Sequence, residues 1–153
     1  MATEAPAKDT ERYFEEIDVG ETYTVERQRT ITEADVVNFA GISGDFHPYH
    51  MSTEVVKDTP FDGRIAHGVL VFAIAEALVA DMNPRSFTYG HEGLRYPTPT
   101  LIGDTLTVHR EVVEKAEYND EYGKVVYEYV AENQDDETVF VCKQHITLVE
   151  TRD

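Results

Sequence analysis

HGVLVFAIAEALVADM, residues 67–82, carries one charged side chain, Glu76, ahead of Asp81. Apolar residues fall on nearly every face of a 3.6-residue period, so the segment reads as a buried helix and not as an amphipathic surface helix. Asn83-Pro84 is expected to end it. Sixteen residues fall short of the roughly 20 needed to cross a bilayer but suit the thickness of a small domain.

Downstream the period changes to two. Phe87 to Tyr96, Asp104 to Glu114, Lys124 to Glu132 and Thr138 to Glu150 read as four strands. Their turns carry Pro97, Pro99, Gly103, Asn119-Asp120, Gly123 and Asp135-Asp136. Upstream, Glu21 to Ile31 alternates β-branched or aromatic with charged residues and reads as a further strand. Thr32-Glu-Ala-Asp then supplies an N-cap with an acid three positions on, and Val36, Val37, Phe39 and Ala40 follow at helical spacing as far as Ser43-Gly44. Asp45 to Met51 (DFHPYHM) contains Pro48 and is expected to be neither regular helix nor central strand; Thr53 to Asp58 allows one helical turn. A single buried helix needs a sheet curled around it, which predicts an α+β domain with an antiparallel sheet wrapped on a long central helix.

One domain is expected over residues 13–153, preceded by a flexible tail at 1–12, since Met1 to Thr10 lacks apolar pattern and lacks the basic start and apolar run of a signal peptide. Cys142 is the only cysteine and lies among Val139, Phe140 and Val141, which predicts a buried structural thiol and a reducing compartment. Thirty acidic residues against thirteen basic ones give a net charge of -17. Such a surface repels nucleic acid and anionic membranes, and it strains the fold unless salt screens it. The expectation is a cytoplasmic protein adapted to high salt, as in halophilic archaea.

The densest group of polar functional residues is Ser43-Gly44-Asp45-Phe46-His47-Pro48-Tyr49-His50. An acid and two histidines on a proline-stiffened loop can hold a proton-transfer pair rigidly. Taken singly, Asp45 is equally at home as a turn residue after a helix, and His50 as a satisfied loop histidine. Asp45, His47 and His50 are also metal-ligand types, but no cysteine or further acid joins them, so no metal centre is expected. The second feature is Gly63-Arg64-Ile65-Ala66-His67-Gly68, which leads into the buried helix. Unpaired N–H groups at a helix start attract negative charge, and glycine lets a ligand oxygen approach the backbone. Tight helix–sheet packing at Gly68, with His67 a core residue, would explain the same residues.

Together, Ser43-Gly44-Asp45-x-His47-Pro48-x-His50, then His67-Gly68 and an apolar helix, resemble the MaoC-like dehydratase family, which includes (R)-specific enoyl-CoA hydratases. The likeness runs from about Tyr13 to Val149 and takes in the strand entry at Gly103-Asp104. It implies a hot-dog fold, a homodimer whose two sheets join, and hydration of trans-2-enoyl-CoA to (R)-3-hydroxyacyl-CoA. No cofactor is implied beyond the coenzyme A of the acyl-CoA substrate. Asp45 and His50 match the family's catalytic positions, and Gly68 its backbone oxyanion donor. His67 and His47 are expected beside the substrate; Arg64, Arg85 and Arg95 are candidates for the coenzyme A phosphates. His47 stands where asparagine is usual, and is expected to support the loop. Glu76 lies on the helix where hot-dog thioesterases often carry a catalytic acid, which keeps thioester hydrolysis as an alternative beside a non-catalytic acyl-CoA-binding subunit.

Overall fold

The computed structural model describes residues 11–152, so the expected tail lies mostly outside the described residues. The domain is already packed at its start. Arg12 is buried, donates from one guanidinium nitrogen to both carboxylate oxygens of Glu21 at 3.0 and 2.9 Å, and exchanges backbone bonds with the Asn83 side chain. The first turn is thus tied to the far end of the central helix.

The elements run β1 (Thr22–Thr30), α1 (Glu33–Ser43), α2 (Pro48–Met51), α3 (Gly68–Val79), β2 (Ser86–Arg95), β3 (Thr105–Glu117), β4 (Tyr122–Glu132) and β5 (Thr138–Glu150). The five strands form one antiparallel sheet in the order β1-β3-β4-β5-β2. Register shifts at Val25/Arg29, Thr88/Gly90, Val112/Glu114 and Tyr127/Tyr129 bend the strands and curl the sheet towards α3. The core joins Val71, Ala75 and Val79 of α3 to Val108, Val125, Tyr129, Phe140 and Cys142 of the sheet. Cys142 is fully buried, and burial pushes its thiol up to about 11, as befits a structural residue. No helix among the described residues is long and apolar enough to cross a membrane.

Two local expectations need correction. The central helix ends at Val79, with Ala80 extended, and does not run on to Met82. The buried Arg110 donates to the Val79 carbonyl at 2.6 Å, which satisfies a terminal carbonyl and the negative end of the helix dipole, so the helix stops before Asn83-Pro84. Nor is α3 hidden on every side. Val69 is 60% exposed, and Ala73 and Ala77 lie on the same open stripe, one turn apart each.

Candidate active site

Residue Asp45 is aimed by the end of α1. Thr32 and Asp35 form the expected capping box at its start, with bonds of 2.8 and 3.2 Å. Arg29 grips Asp35 bidentately and holds that carboxyl below its usual range. At the other end Gly44 adopts φ +79°, a left-handed cap that turns the chain sharply out of the helix. Asp45 follows at once, and its Oδ1 accepts the His47 N–H at 3.2 Å.

The proline segment was expected to be irregular, yet Pro48–Met51 forms a short α-helix. Proline is well suited to a first helical position, where its missing N–H is not needed. His47 is the N-cap: its Nδ1 accepts the Tyr49 N–H at 3.1 Å. His47 therefore caps the short turn that carries His50. One turn of helix brings His50 back over Asp45, and His50 Nε2 lies 3.7 Å from Asp45 Oδ2.

Two backbone bonds lock His50. Its Nδ1 lies 2.7 Å from the Ile65 carbonyl, which can only accept, so Nδ1 carries the proton and Nε2 is the free position. Arg64 Nε donates to the His50 carbonyl at 2.7 Å, while its Nη1 pairs with Glu33 at 2.6 Å. Burial, above all, pushes the His50 imidazole below its ordinary 6.5, so at neutral pH it presents an unprotonated Nε2. Asp45 stays open to solvent, its side chain 52% exposed.

Underneath, His67 is buried, stacks on His50 and donates Nε2–H to the Asp45 carbonyl at 2.8 Å. It is a support for the pair, with no exposed face of its own to offer a substrate. Gly68 follows as the first residue of α3, and its N–H has no backbone acceptor among the described residues. His50 and Gly68 line one cavity of about 210 Å³, together with Val71, Tyr96, Thr100 and Val139. The structure thus brings Asp45, His50, His67 and Gly68 together.

The arginines divide. Arg64 is committed to Glu33 and the His50 carbonyl, and Arg85 is paired with Glu11 and Glu150, so neither is free for a phosphate. Arg95 is exposed, without an ion pair among the described residues.

Three features of the site were not anticipated from sequence. Tyr96 packs so close to Gly68 that a Cβ there would sit 2.9 Å from its ring. Thr100 lines the cavity with a buried hydroxyl that has no hydrogen-bond partner among the described residues. Glu76 is bound to His91 and His145 from two strands, at 2.8 and 3.0 Å. Burial opposes its charge, but the bonds from His145 and His91 outweigh that and hold its carboxyl below the usual range. Sequence spacing could hint at none of these, because the partners are distant along the chain. Among the described residues, two sets offer metal-ligand atoms in close groups: Asp45, His50 and His67, and Glu76, His91 and His145.

The MaoC like domain matches residues 15–134 of the chain. Protein MaoC of Klebsiella aerogenes is 40% identical over 99 residues, covering 63% of this chain and 29% of that protein. A 3-hydroxybutyryl-CoA dehydratase of Methylorubrum extorquens is 37% identical over 103 residues, covering 67% of this chain and 64% of the relative. The chain thus spans less than two thirds of the length of either relative. Among solved structures, a monoamine oxidase regulatory protein from Archaeoglobus superposes with a TM-score of 0.86 at 33% identity, over 94% of this chain and 97% of that one. The R-hydratase PhaJ1 of Pseudomonas aeruginosa superposes at 0.72 and 31% identity, over 92% and 86%. A Mycobacterium tuberculosis protein with a double hot-dog fold superposes at 0.77 over 93% of this chain and 45% of that one; at 19% identity it speaks for the hot-dog fold alone.

Proposed function

The chain belongs to the MaoC-like domain family, and from that footing we propose that it is an enoyl-CoA hydratase, adding water reversibly to a trans-2-enoyl-CoA to give the (R)-3-hydroxyacyl-CoA. One observation carries this reading: His50, its Nδ1–H spent on the Ile65 carbonyl, turns a free Nε2 towards Asp45 Oδ2 3.7 Å away, in a cavity that Gly68 also lines.

A gap of 3.7 Å is too long for a direct hydrogen bond but lets a single water, about 2.8 Å from each atom, bridge the pair. The thioester oxygen accepts the Gly68 N–H. As the water oxygen bonds to C3, its proton passes to the Asp45/His50 pair, and the C2=C3 electron pair shifts towards the thioester oxygen. Gly68 stabilises the enolate-like charge, a contact worth roughly 3 kcal/mol in other enzymes. The pair then protonates C2 from the same face, which makes the addition syn. Water addition is redox-neutral and draws on no cofactor beyond the coenzyme A that the substrate brings. Arg95, free and next to Tyr96, is the cation assigned to the coenzyme A phosphates.

The working unit on this reading is a homodimer in a salt-rich cytoplasm. Strand β2 is an edge of the sheet with Phe87, Tyr89 and Leu94 exposed, and beside it runs the open Val69, Ala73, Ala77 stripe of α3. A bare edge and an apolar stripe are both met by a second copy joined edge to edge. Thioester hydrolysis by Glu76 fits less well. Glu76 sits eight residues beyond Gly68, about 12 Å along the helix, and its carboxylate is held by two histidines. The separating experiment follows crotonyl-CoA with a thiol reagent present: hydration removes the enoyl absorbance and leaves the thioester whole, whereas prompt thiol release would overturn the assignment.

A further inference from the structure

We propose that Glu76, His91 and His145 form a structural site for a zinc-class divalent metal ion, separate from the Asp45/His50 pair. The three donors come from α3, β2 and β5 and are brought together by the fold alone. Glu76 Oε1 lies 2.8 Å from His91 Nε2 and 3.0 Å from His145 Nε2. A metal with bonds of about 2.0–2.2 Å holds neighbouring ligand atoms roughly 2.9–3.4 Å apart, so the donors need to open by only a few tenths of an ångström at these two contacts. Two imidazoles and one carboxylate are a donor set that such ions accept readily.

The surroundings have the features of a metal site's outer shell. Tyr129 bonds the other ring nitrogen of His145, the kind of partner that fixes a ligating histidine's tautomer and orientation. In the metal-free chain the Nε2–H of His145 serves the Glu76 carboxylate; with the ion bound, the ring proton moves to Nδ1, facing the Tyr129 oxygen, and Nε2 gives its lone pair to the ion. That Nε2 is oversubscribed as a simple hydrogen-bonding atom, since Thr88 Oγ1 at 2.9 Å and Glu76 Oε1 at 3.0 Å both compete for it. The edge of Phe72 packs on His91, and the His91 ring, now stacked on His145 with planes 12° apart, has to tilt out of that stack for both Nε2 lone pairs to meet one ion. Glu76 and His145 border a cavity of about 330 Å³ on this side of α3, which leaves room for water as a further ligand. One carboxylate leaves the bound divalent ion with a net positive charge, and a chain of net charge -17 favours that. The ion would clamp the edge strand β2 and strand β5 onto the central helix.

The test is titration of the chelator-stripped full chain with zinc by calorimetry and with cobalt(II) by visible absorption. One equivalent per chain is expected in wild type. His91→Gln, on the edge strand, should weaken binding at least about tenfold, and Tyr129→Phe by roughly 10- to 100-fold while leaving every ligand in place. His50→Gln should bind as wild type does. No uptake by folded wild type overturns the proposal, as does His91→Gln binding with wild-type affinity. Loss of binding in His50→Gln alone would move the ion to the other cluster and overturn it equally.

Discussion

His67 lies face to face with His50, ring centroids 3.7 Å apart and planes 25° apart, and donates Nε2–H to the carbonyl of Asp45. One buried imidazole at the mouth of α3 therefore fixes both members of the proposed pair, one by stacking and one through the backbone. His67→Phe keeps an aromatic ring under His50 but deletes the N–H. A neutral hydrogen bond contributes about 1 kcal/mol, so kcat should fall up to about tenfold with KM little changed. An unchanged kcat would remove His67 from the positioning role.

The pH profile follows from His50. Burial keeps its imidazole below 6.5, against the pull of the Ile65 carbonyl, so the neutral form persists into mildly acid solution. The acid limb of kcat/KM should break below pH 6.5, at the same value an NMR titration of the His50 ring reports. The stability effect has a defined sign. Between 6.5 and the lower native value the unfolded chain binds the proton and the native chain does not, so native stability falls as pH drops through that window. A break above 6.5 would mean that Asp45 stabilises the imidazolium more than burial opposes it.

Gly68 and Tyr96 form a second pair that can be tested by substitution. An alanine Cβ at 68 would meet the Tyr96 ring at 2.9 Å, and the ring would be driven into the 210 Å³ cavity. Gly68→Ala should lower kcat/KM at least about tenfold although the N–H survives. Trimming the ring in Gly68→Ala/Tyr96→Ala should recover part of the loss, a coupling that a double-mutant cycle measures. Additive losses would place the effect in the helix and not in the contact.

The assembly prediction rests on the open stripe of α3. Ala73→Glu puts a charge in the middle of the proposed dimer face, and an unpaired buried charge costs several kcal/mol. Light scattering should show wild type as a dimer and the variant as a folded monomer. A dimeric variant would place the contact elsewhere.

With a net charge of -17, self-repulsion should make the fold salt-dependent. The Debye length drops from about 10 Å at 0.1 M to about 3 Å at 1 M salt, so the unfolding midpoint should climb by several degrees over that range of KCl. A midpoint that is flat in KCl would leave the acidity without a salt-screening role.

Much of this architecture was legible because its signals are local. The apolar run after His67, the period-two strands and the Thr32/Asp35 capping box each act within a few residues, and each appears where the pattern put it. The errors came where a distant residue decides. Helix α3 stops at Val79 because Arg110, thirty-one positions away, caps it. The open face of Val69, Ala73 and Ala77 was invisible because hydrophobicity marks what seeks burial, not which chain supplies it. At the site, the closeness of Asp45 and His50 was legible from the short motif that holds them. The commitments of Arg64 and Arg85 to Glu33 and Glu150, and the convergence of His91 and His145 on Glu76, depend on tertiary pairing that spacing does not encode.

The central claim is that Asp45 and His50 act together on one water. Its most direct test is the rate of enoyl absorbance loss with crotonyl-CoA in concentrated KCl, for wild type, Asp45→Asn and His50→Gln. Positioned acid–base groups contribute about 100- to 10,000-fold, so each variant should lose roughly that much in kcat, and the double variant little more than either alone. Hydration at near wild-type rate in either variant, from protein shown to be folded, would contradict the account.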